Sequence, residues 1–277
     1  MLTPVDPGSE AVQGWIDGGV GVIRFNRPER SNALHPKTYD AIPQLIEAYT
    51  AADEVGCILI TAAGRSFCAG GDVQAGVERS RRIAKGEEPP EPESSMDGSL
   101  LAHQARTVVM LHGSPKISIA ALPGPAVGAG VGIALAADLR IAGTSGAIIT
   151  GWGKLAYSGD FGGTWFLRRL LGHARALEVL LSGSKIDAER GRSLGLFNRV
   201  VPDEDLETEA LAWAKEIAAG PTTTFGLMKQ NILDAASMTL AEALPGESRR
   251  MRESGQSQEH RDAVRSWVAA AKAKRSS

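Results

Sequence analysis

Two stretches place glycines and other small residues just after apolar runs: GRSFCAGGDV, from Gly64 to Val73, and LPGPAVGAGVGIALAADLR, from Leu122 to Arg140. Glycine allows turns at positive φ and lets a ligand lie against the main chain. It also leaves N–H groups free to point at an anion or a polarised carbonyl. The chemistry on offer is stabilisation of an oxyanion by backbone amides. A dinucleotide phosphate site is the competing use, and the spacing argues against it. Gly128, Gly130 and Gly132 run G-x-G-x-G, followed by Ile133, whereas that fingerprint is G-x-G-x-x-G. No G-x-x-x-x-G-K-[ST] occurs either. Taken alone, the glycines fit close helix packing equally well. The two cysteines, Cys57 and Cys68, form no CxxC, so they provide neither a zinc knuckle nor a disulfide framework and suit a reducing compartment.

The elements that must hold these loops are legible as alternating strands and helices. Val20 to Phe25 (VGVIRF) is a β-branched run that ends in the turn residues Asn26, Arg27 and Pro28. From about Pro36 to Ala51, Tyr39, Ile42, Leu45, Ile46 and Tyr49 recur at helical spacing and predict one buried face. CILITAAG from Cys57, ISIAAL after Lys116 and LRIAG from Leu139 read as further strands, apolar on successive residues as in a sheet covered on both sides. Strands separated by helices indicate an α/β chain with crossover connections. Glu78 to Gly98 is rich in proline and acid and reads as a surface excursion; Leu100 to Leu111 is helical again. From about Thr164 helices dominate, interrupted by the strand-like Asn198 to Pro202, and the segment from Pro221 onward is expected to form a helical layer of its own.

The chain has 277 residues, 43% hydrophobic and 22% charged, which is ordinary globular composition. Thirty Lys and Arg against 32 Asp and Glu argue against nucleic acid or an anionic membrane as partner. The opening MLTPVDPGSEAVQGW lacks the basic and apolar parts of a secretory signal, so a cytoplasmic location is expected. The apolar region from Ile117 to Ala137 is broken by Pro123, Pro125 and glycines, which is wrong for a membrane-spanning helix.

Both glycine-rich segments and their surroundings resemble the crotonase superfamily, the enoyl-CoA hydratase/isomerase family. The likeness runs from about Val20 to beyond Lys229. It is carried by NRPERSNAL (Asn26 to Leu34), GRSFCAGGD, PGPAVGAGVGIALAADLRIA, FGGTWFLRRLLG, AERGRSLGLFNRVVP and PTTTFGLMKQNI in that order. The resemblance implies a spiral of ββα units over residues 1–200 and a C-terminal helical trimerisation part over 201–277. It further implies assembly as homotrimers or dimers of trimers, and an acyl-CoA thioester as ligand. By position, Ala69 and Ala129 are the implied backbone donors to the thioester oxygen, Ala129 standing where the family usually has glycine. Arg30, Asn32, Ala33, Leu34, Cys68 and Asp72 fall at CoA-binding positions, and Phe225 and Lys229 are implied to approach the nucleotide. No metal and no cofactor beyond the CoA of the substrate is implied.

Hydratases of this family use two glutamates to hold and activate water, but Gly132 and Trp152 occupy those positions, so two-carboxylate water addition is not supported. Asp160 precedes FGGTW, where several isomerases and the chlorobenzoyl-CoA dehalogenases of the family carry a catalytic aspartate. Its competing role is N-cap of the helix starting near Phe161 or Gly162. His103 and Trp152 together with Asp160 resemble the dehalogenase arrangement, although a lone histidine in a helix and a buried tryptophan are ordinary packing elements. The expected reaction is enoyl-CoA isomerisation with Asp160 as acid/base. The alternatives are nucleophilic or hydrolytic chemistry on an aromatic or cyclic acyl-CoA through Asp160, His103 and Trp152, and acyl-CoA binding without conversion.

Overall fold

The computed structural model describes residues 2–72, 81–87 and 99–276. Most of the expected excursion from Glu78 to Gly98 lies outside the described residues. The main sheet has seven strands in the order β1-β2-β3-β4-β5-β7-β10. β1 (Thr3–Val5), β2 (Val12–Asp17) and β3 (Val20–Phe25) are antiparallel neighbours. β4 (Cys57–Ala62), β5 (Ile117–Leu122), β7 (Leu139–Gly143) and β10 (Arg199–Val201) continue the sheet from β3 in parallel. The parallel strands are apolar on successive residues because helices cover both faces. On one side α1 (Pro36–Ala51) lays down Ile42, Leu45, Ile46 and Tyr49. The Tyr49 ring fits where Gly21 has no side chain, and its hydroxyl donates to the Val22 carbonyl at 2.9 Å.

A second, smaller layer is built from pieces two or three residues long. β6 (Pro125–Val127), β8 (Ala147–Ile149) and β9 (Ile186–Asp187) pair in that order, and isolated bridges join Cys68 to Ala126 and Leu34 to Gly71. Each main-sheet strand from β4 to β7 is thus followed by a short extended piece lying on its neighbour, which stacks the chain as a spiral. Such pieces are held by main-chain bonds rather than by an alternating side-chain pattern, and composition did not single them out.

Helical segments fill the rest. α2 (Ser99–Gln104) runs through a π-helical stretch (Ala105–Val109) into α3 (Met110–Gly113). α4 (Ala129–Ala136) is apolar all round and buried along its whole length, as a helix inside a core must be. α5 (Gly163–Leu171), α6 (His173–Ser182) and α7 (Ala188–Ser193) follow. α8 (Leu206–Ala218) packs Leu206, Ala210 and Ala214 on the sheet face formed by Val20, Val22, Cys57, Leu59 and Ile119. Beyond it, α9 (Thr222–Ala235), α10 (Leu240–Gly255) and α11 (Gln258–Ser276) leave Ile232, Leu240, Leu244, Met251 and Trp267 exposed. No described helix is long and apolar enough to cross a membrane.

One expected ligand contact is a structural staple. Asn32 is buried in the left-handed region, φ 56°. Its Nδ2 donates to the carbonyls of Ala63 and Ser66, each at 2.8 Å, while its Oδ1 accepts from the Arg27 N–H at 2.8 Å. The side chain therefore ties three turns together, with both of its amide hydrogens committed to main-chain carbonyls. Asn32→Ala strands those partners and puts a Cβ with no compensating bonds at positive φ. It should lower the unfolding free energy by about 2–4 kcal/mol in a denaturant titration.

Candidate active site

The three segments that carry the site meet where no side chain separates them. A Cβ on Gly70 would stand 2.8 Å from the Val127 carbonyl oxygen and 3.4 Å from the Ala129 nitrogen; one on Gly130 would stand 2.5 Å from the Cys68 carbonyl oxygen. The positive φ required to enter α4 falls on Gly128 (φ 52°), so Ala129 keeps ordinary helical geometry and its methyl group is tolerated. As the first residue of α4, Ala129 has an N–H with no carbonyl a turn behind it to accept.

In the other segment the free amide is not Ala69. The Ala69 N–H donates to the Ser31 carbonyl at 3.0 Å, and that of Gly70 is directed at the Cys68 sulfur. The N–H of Gly71 has no acceptor among the described residues, and the space in front of its Cα is open. Ala69 is therefore not a free donor, contrary to expectation, and the open N–H of this segment is that of Gly71. Successive amides in a turn point in different directions, and only the tertiary position of Ser31 decides which one is occupied.

Asp160 sits in a loop of unusual backbone geometry: Gly159, Phe161 and Gly162 all have positive φ, and for Phe161 (φ 45°) this is a strained state. Asp160 does not cap a helix. α5 begins at Gly163 with Gly162 as N-cap and no side-chain cap bond. The strained turn instead aims the carboxylate inward, where the Trp152 indole Nε1–H donates to Oδ1 at 2.8 Å. Trp152 is buried, its ring occupying the space a side chain at Gly163 would need and its Nε1 facing Gly128. Burial pushes the Asp160 pKa up, and the indole bond partly offsets this.

The two glutamate positions are filled rather than empty. A Cβ on Gly132 would come within 2.3 Å of the Phe161 carbonyl oxygen, so the Phe161 main chain takes the space of a side chain at 132. Trp152 holds the other position. His103 lies at the far end of a ring stack: His103 against Tyr39 (5.5 Å between centroids) and Tyr39 against Phe161 (6.1 Å, planes 18° apart). The Nδ1 of His103 is 3.7 Å from Asp40 Oδ1, too long for a hydrogen bond.

The CoA-position residues divide. Arg30 and Asp72 lie near the surface, Arg30 at the end of a 3₁₀ turn. Ala33 is buried, with its carbonyl accepting from Arg27 Nη1, and Leu34 donates its N–H to the Gly70 carbonyl at 2.7 Å, fixing the turn beside Gly71. Cys68 is fully buried, its thiol pushed up to about 12 by burial first. Lys229 is not a free cation for phosphate. Its buried Nζ pairs with Asp138 Oδ2 at 2.9 Å and donates to the carbonyls of Leu111 and Lys116, which clamps α9 to the core. Phe225 and Lys229 line a cavity of about 840 Å³ with Trp165, Phe166 and Trp213; Asp160, Ala129 and Gly71 are not among its walls.

The comparisons agree with this architecture. The sequence profile of the enoyl-CoA hydratase/isomerase family matches residues 16–274. The chain is 33% identical over 260 residues to 1,2-epoxyphenylacetyl-CoA isomerase of Escherichia coli K12, covering 94% of this chain and 96% of the relative. It is 31% identical over 225 residues to 4-chlorobenzoyl coenzyme A dehalogenase-2 of Arthrobacter sp, covering 80% and 77%. A solved structure from Mycobacterium abscessus described as an enoyl-CoA hydratase/isomerase superposes with a TM-score of 0.85 at 31% identity, over 94% of this chain and 97% of that one. The spiral α/β core is that of the crotonase-fold acyl-CoA enzymes. This chain belongs to the enoyl-CoA hydratase/isomerase family.

Two outcomes test the geometry. Trp152→Phe removes the bond that lowers the Asp160 pKa and leaves the desolvation that raises it. The acid limb of the kcat/KM profile should therefore move to higher pH. Gly132→Glu should destabilise the protein by about 1–3 kcal/mol through overpacking and add no enoyl-CoA hydration, read by denaturation and by loss of enoyl absorbance.

Proposed function

We propose that this chain isomerises enoyl-CoA thioesters. The N–H groups of Gly71 and Ala129 hold the thioester oxygen, and Asp160 carries the proton. The carboxylate takes a proton from C2 of a 3-enoyl thioester, and the electrons of that C–H bond flow into the thioester carbonyl, giving a dienolate whose oxygen rests on the two amides. The protonated Asp160 returns a proton at C4, the double bond moves to C2=C3, and the carbonyl is restored. Backbone donors placed where charge develops are each worth about 3–4 kcal/mol of barrier in comparable sites. No cofactor beyond the CoA of the substrate is called for, because only a proton moves.

The carrying observation is the Asp160 carboxylate, half-buried, with its pKa raised by desolvation and with Trp152 Nε1 as its side-chain hydrogen-bond donor. A base that must also act as acid works best when its pKa lies between the ordinary carboxylate value and neutrality. The same indole bond supports a second reading, attack of ionised Asp160 on an aromatic acyl group, and the 31% identity to a chlorobenzoyl-CoA dehalogenase favours considering it.

A homotrimer or a dimer of trimers is the assembly we infer, supported by the exposed Leu240, Leu244, Met251 and Trp267 on α10 and α11. The buried free thiols Cys57 and Cys68 support a cytoplasmic location.

Asp160→Asn separates the readings. Isomerisation of 3-enoyl-CoA should fall by about 10²–10⁴-fold, and wild-type turnover in D2O should place deuterium at C4 of the product. A covalent adduct on Asp160 detected by mass spectrometry moves the assignment to the nucleophile. Unchanged turnover in the variant rejects both, and binding without conversion across enoyl- and aromatic acyl-CoAs leaves a non-catalytic binder.

A further inference from the structure

Beside the Asp160 loop lies a group of polar atoms that the proposed reaction does not use. The Tyr39 ring is sandwiched between His103 and Phe161, the residue next to Asp160. Its hydroxyl makes no hydrogen bond among the described residues, yet it is near enough to Asp160 and Cys68 for their charges to add to the burial that raises its pKa to about 12. It is thus a neutral donor across the working pH range. Among the described residues His103 Nδ1 is buried with no hydrogen-bond partner, Asp40 Oδ1 standing 3.7 Å away, and the hydroxyl oxygen of Thr107, a residue 1% exposed and one turn further along the same helical run, has none either. Thr107 falls in the π-helical stretch, where the regular ladder is interrupted; such interruptions are frequent at functional sites. The neighbouring Val108 reaches towards Gly162, so this stretch borders the Asp160 loop.

A buried polar atom without a partner is costly, and native proteins keep few of them. Here two such atoms lie on the helical run whose His103 ring packs on Tyr39, and the Tyr39 hydroxyl is itself unbonded among the described residues. We propose that Tyr39, packed on the helical run that carries His103 and Thr107, recognises an oxygen carried on the acyl group. The preferred thioester then bears a hydroxyl, ether or carbonyl oxygen on a planar or cyclic part that lies beside the Tyr39 hydroxyl. This rests on the reading of the Asp160 loop as the acyl end of the site, but not on the reaction that follows.

The test is equilibrium binding of thioesters that lack an alkene. Titration calorimetry compares phenylacetyl-CoA with its 2-, 3- and 4-hydroxy ring isomers on the full-length wild type, Tyr39→Phe and Thr107→Val. At least one hydroxylated isomer should bind the wild type about 5–10-fold more tightly than the parent, the value of one or two net hydrogen bonds. That preference should shrink to about twofold in one or both variants. Asp160→Asn should retain it, so an idle Asp160 in turnover and a failed preference in binding are separate results. The proposal is overturned if no hydroxylated isomer is preferred by the wild type, if the preference survives in both variants, or if the variants weaken all four ligands equally.

Discussion

The site depends on backbone lying directly against backbone. Gly130 meets Cys68, Gly70 meets Val127, and Gly132 meets Phe161, at distances that leave no room for a Cβ on any of the three glycines. Because main chain rather than flexible side chains sets the spacing, the amides of Gly71 and Ala129 are held by the same contacts that close the core. Donors fixed in this way need no reorganisation as charge develops on a bound oxygen, which is what makes such amides effective. The glycines at 70, 130 and 132 are thus as much a part of the site as the groups that would touch substrate.

Asp160 is governed by two opposed effects of similar origin. The turn from Gly159 to Gly162 is strained at Phe161, and the strain is held by packing: Phe161 is fully enclosed and seated on Gly132 and Tyr39. Enclosure penalises the ionised carboxylate, while the indole N–H of Trp152 favours it. Burial is the larger of the two, so the net shift is upward and makes the carboxylate a stronger base. The sign for stability follows. A carboxyl whose folded pKa lies above its unfolded value contributes stability that is full below the unfolded value and is lost as pH rises through the folded one. Asp160 is therefore a small liability to folding at neutral pH, in keeping with a residue retained for chemistry.

Much of this was legible in the residues, and what was not has identifiable causes. The strands with long apolar runs, β3, β4, β5 and β7, and the amphipathic α1 announce themselves because period and burial agree over many residues. β6, β8 and β9 do not, since a strand of two or three residues has no period to detect. The family resemblance implies Ala69 as a donor, but a bond to Ser31 in a remote turn, which no local pattern reveals, occupies that amide. Lys229 and Asn32 were read as ligand contacts from residue type and family position. Their partners, Asp138 for one and the carbonyls of Ala63 and Ser66 for the other, are tertiary neighbours that no local pattern reveals. Asp160 fits a helix N-cap in sequence, and only the two left-handed residues after it turn its carboxylate away from that duty.

The replacement of both glutamates has one physical consequence that joins fold to function. A Cβ at Gly132 would strike the Phe161 main chain, and the second position holds the indole that bonds Asp160, so the space where two carboxylates would order a water is occupied by aromatic surface and peptide. Restoring one carboxylate would not restore the other, and each would first have to displace a packed group. A region so lined leaves little space for the ordered water that two carboxylates would hold, and Asp160 is the carboxylate that the indole N–H holds there. Beside this surface the Tyr39 hydroxyl has no hydrogen-bond partner among the described residues, and next to aromatic rings and peptide a polar group on the ligand is the partner that it would favour.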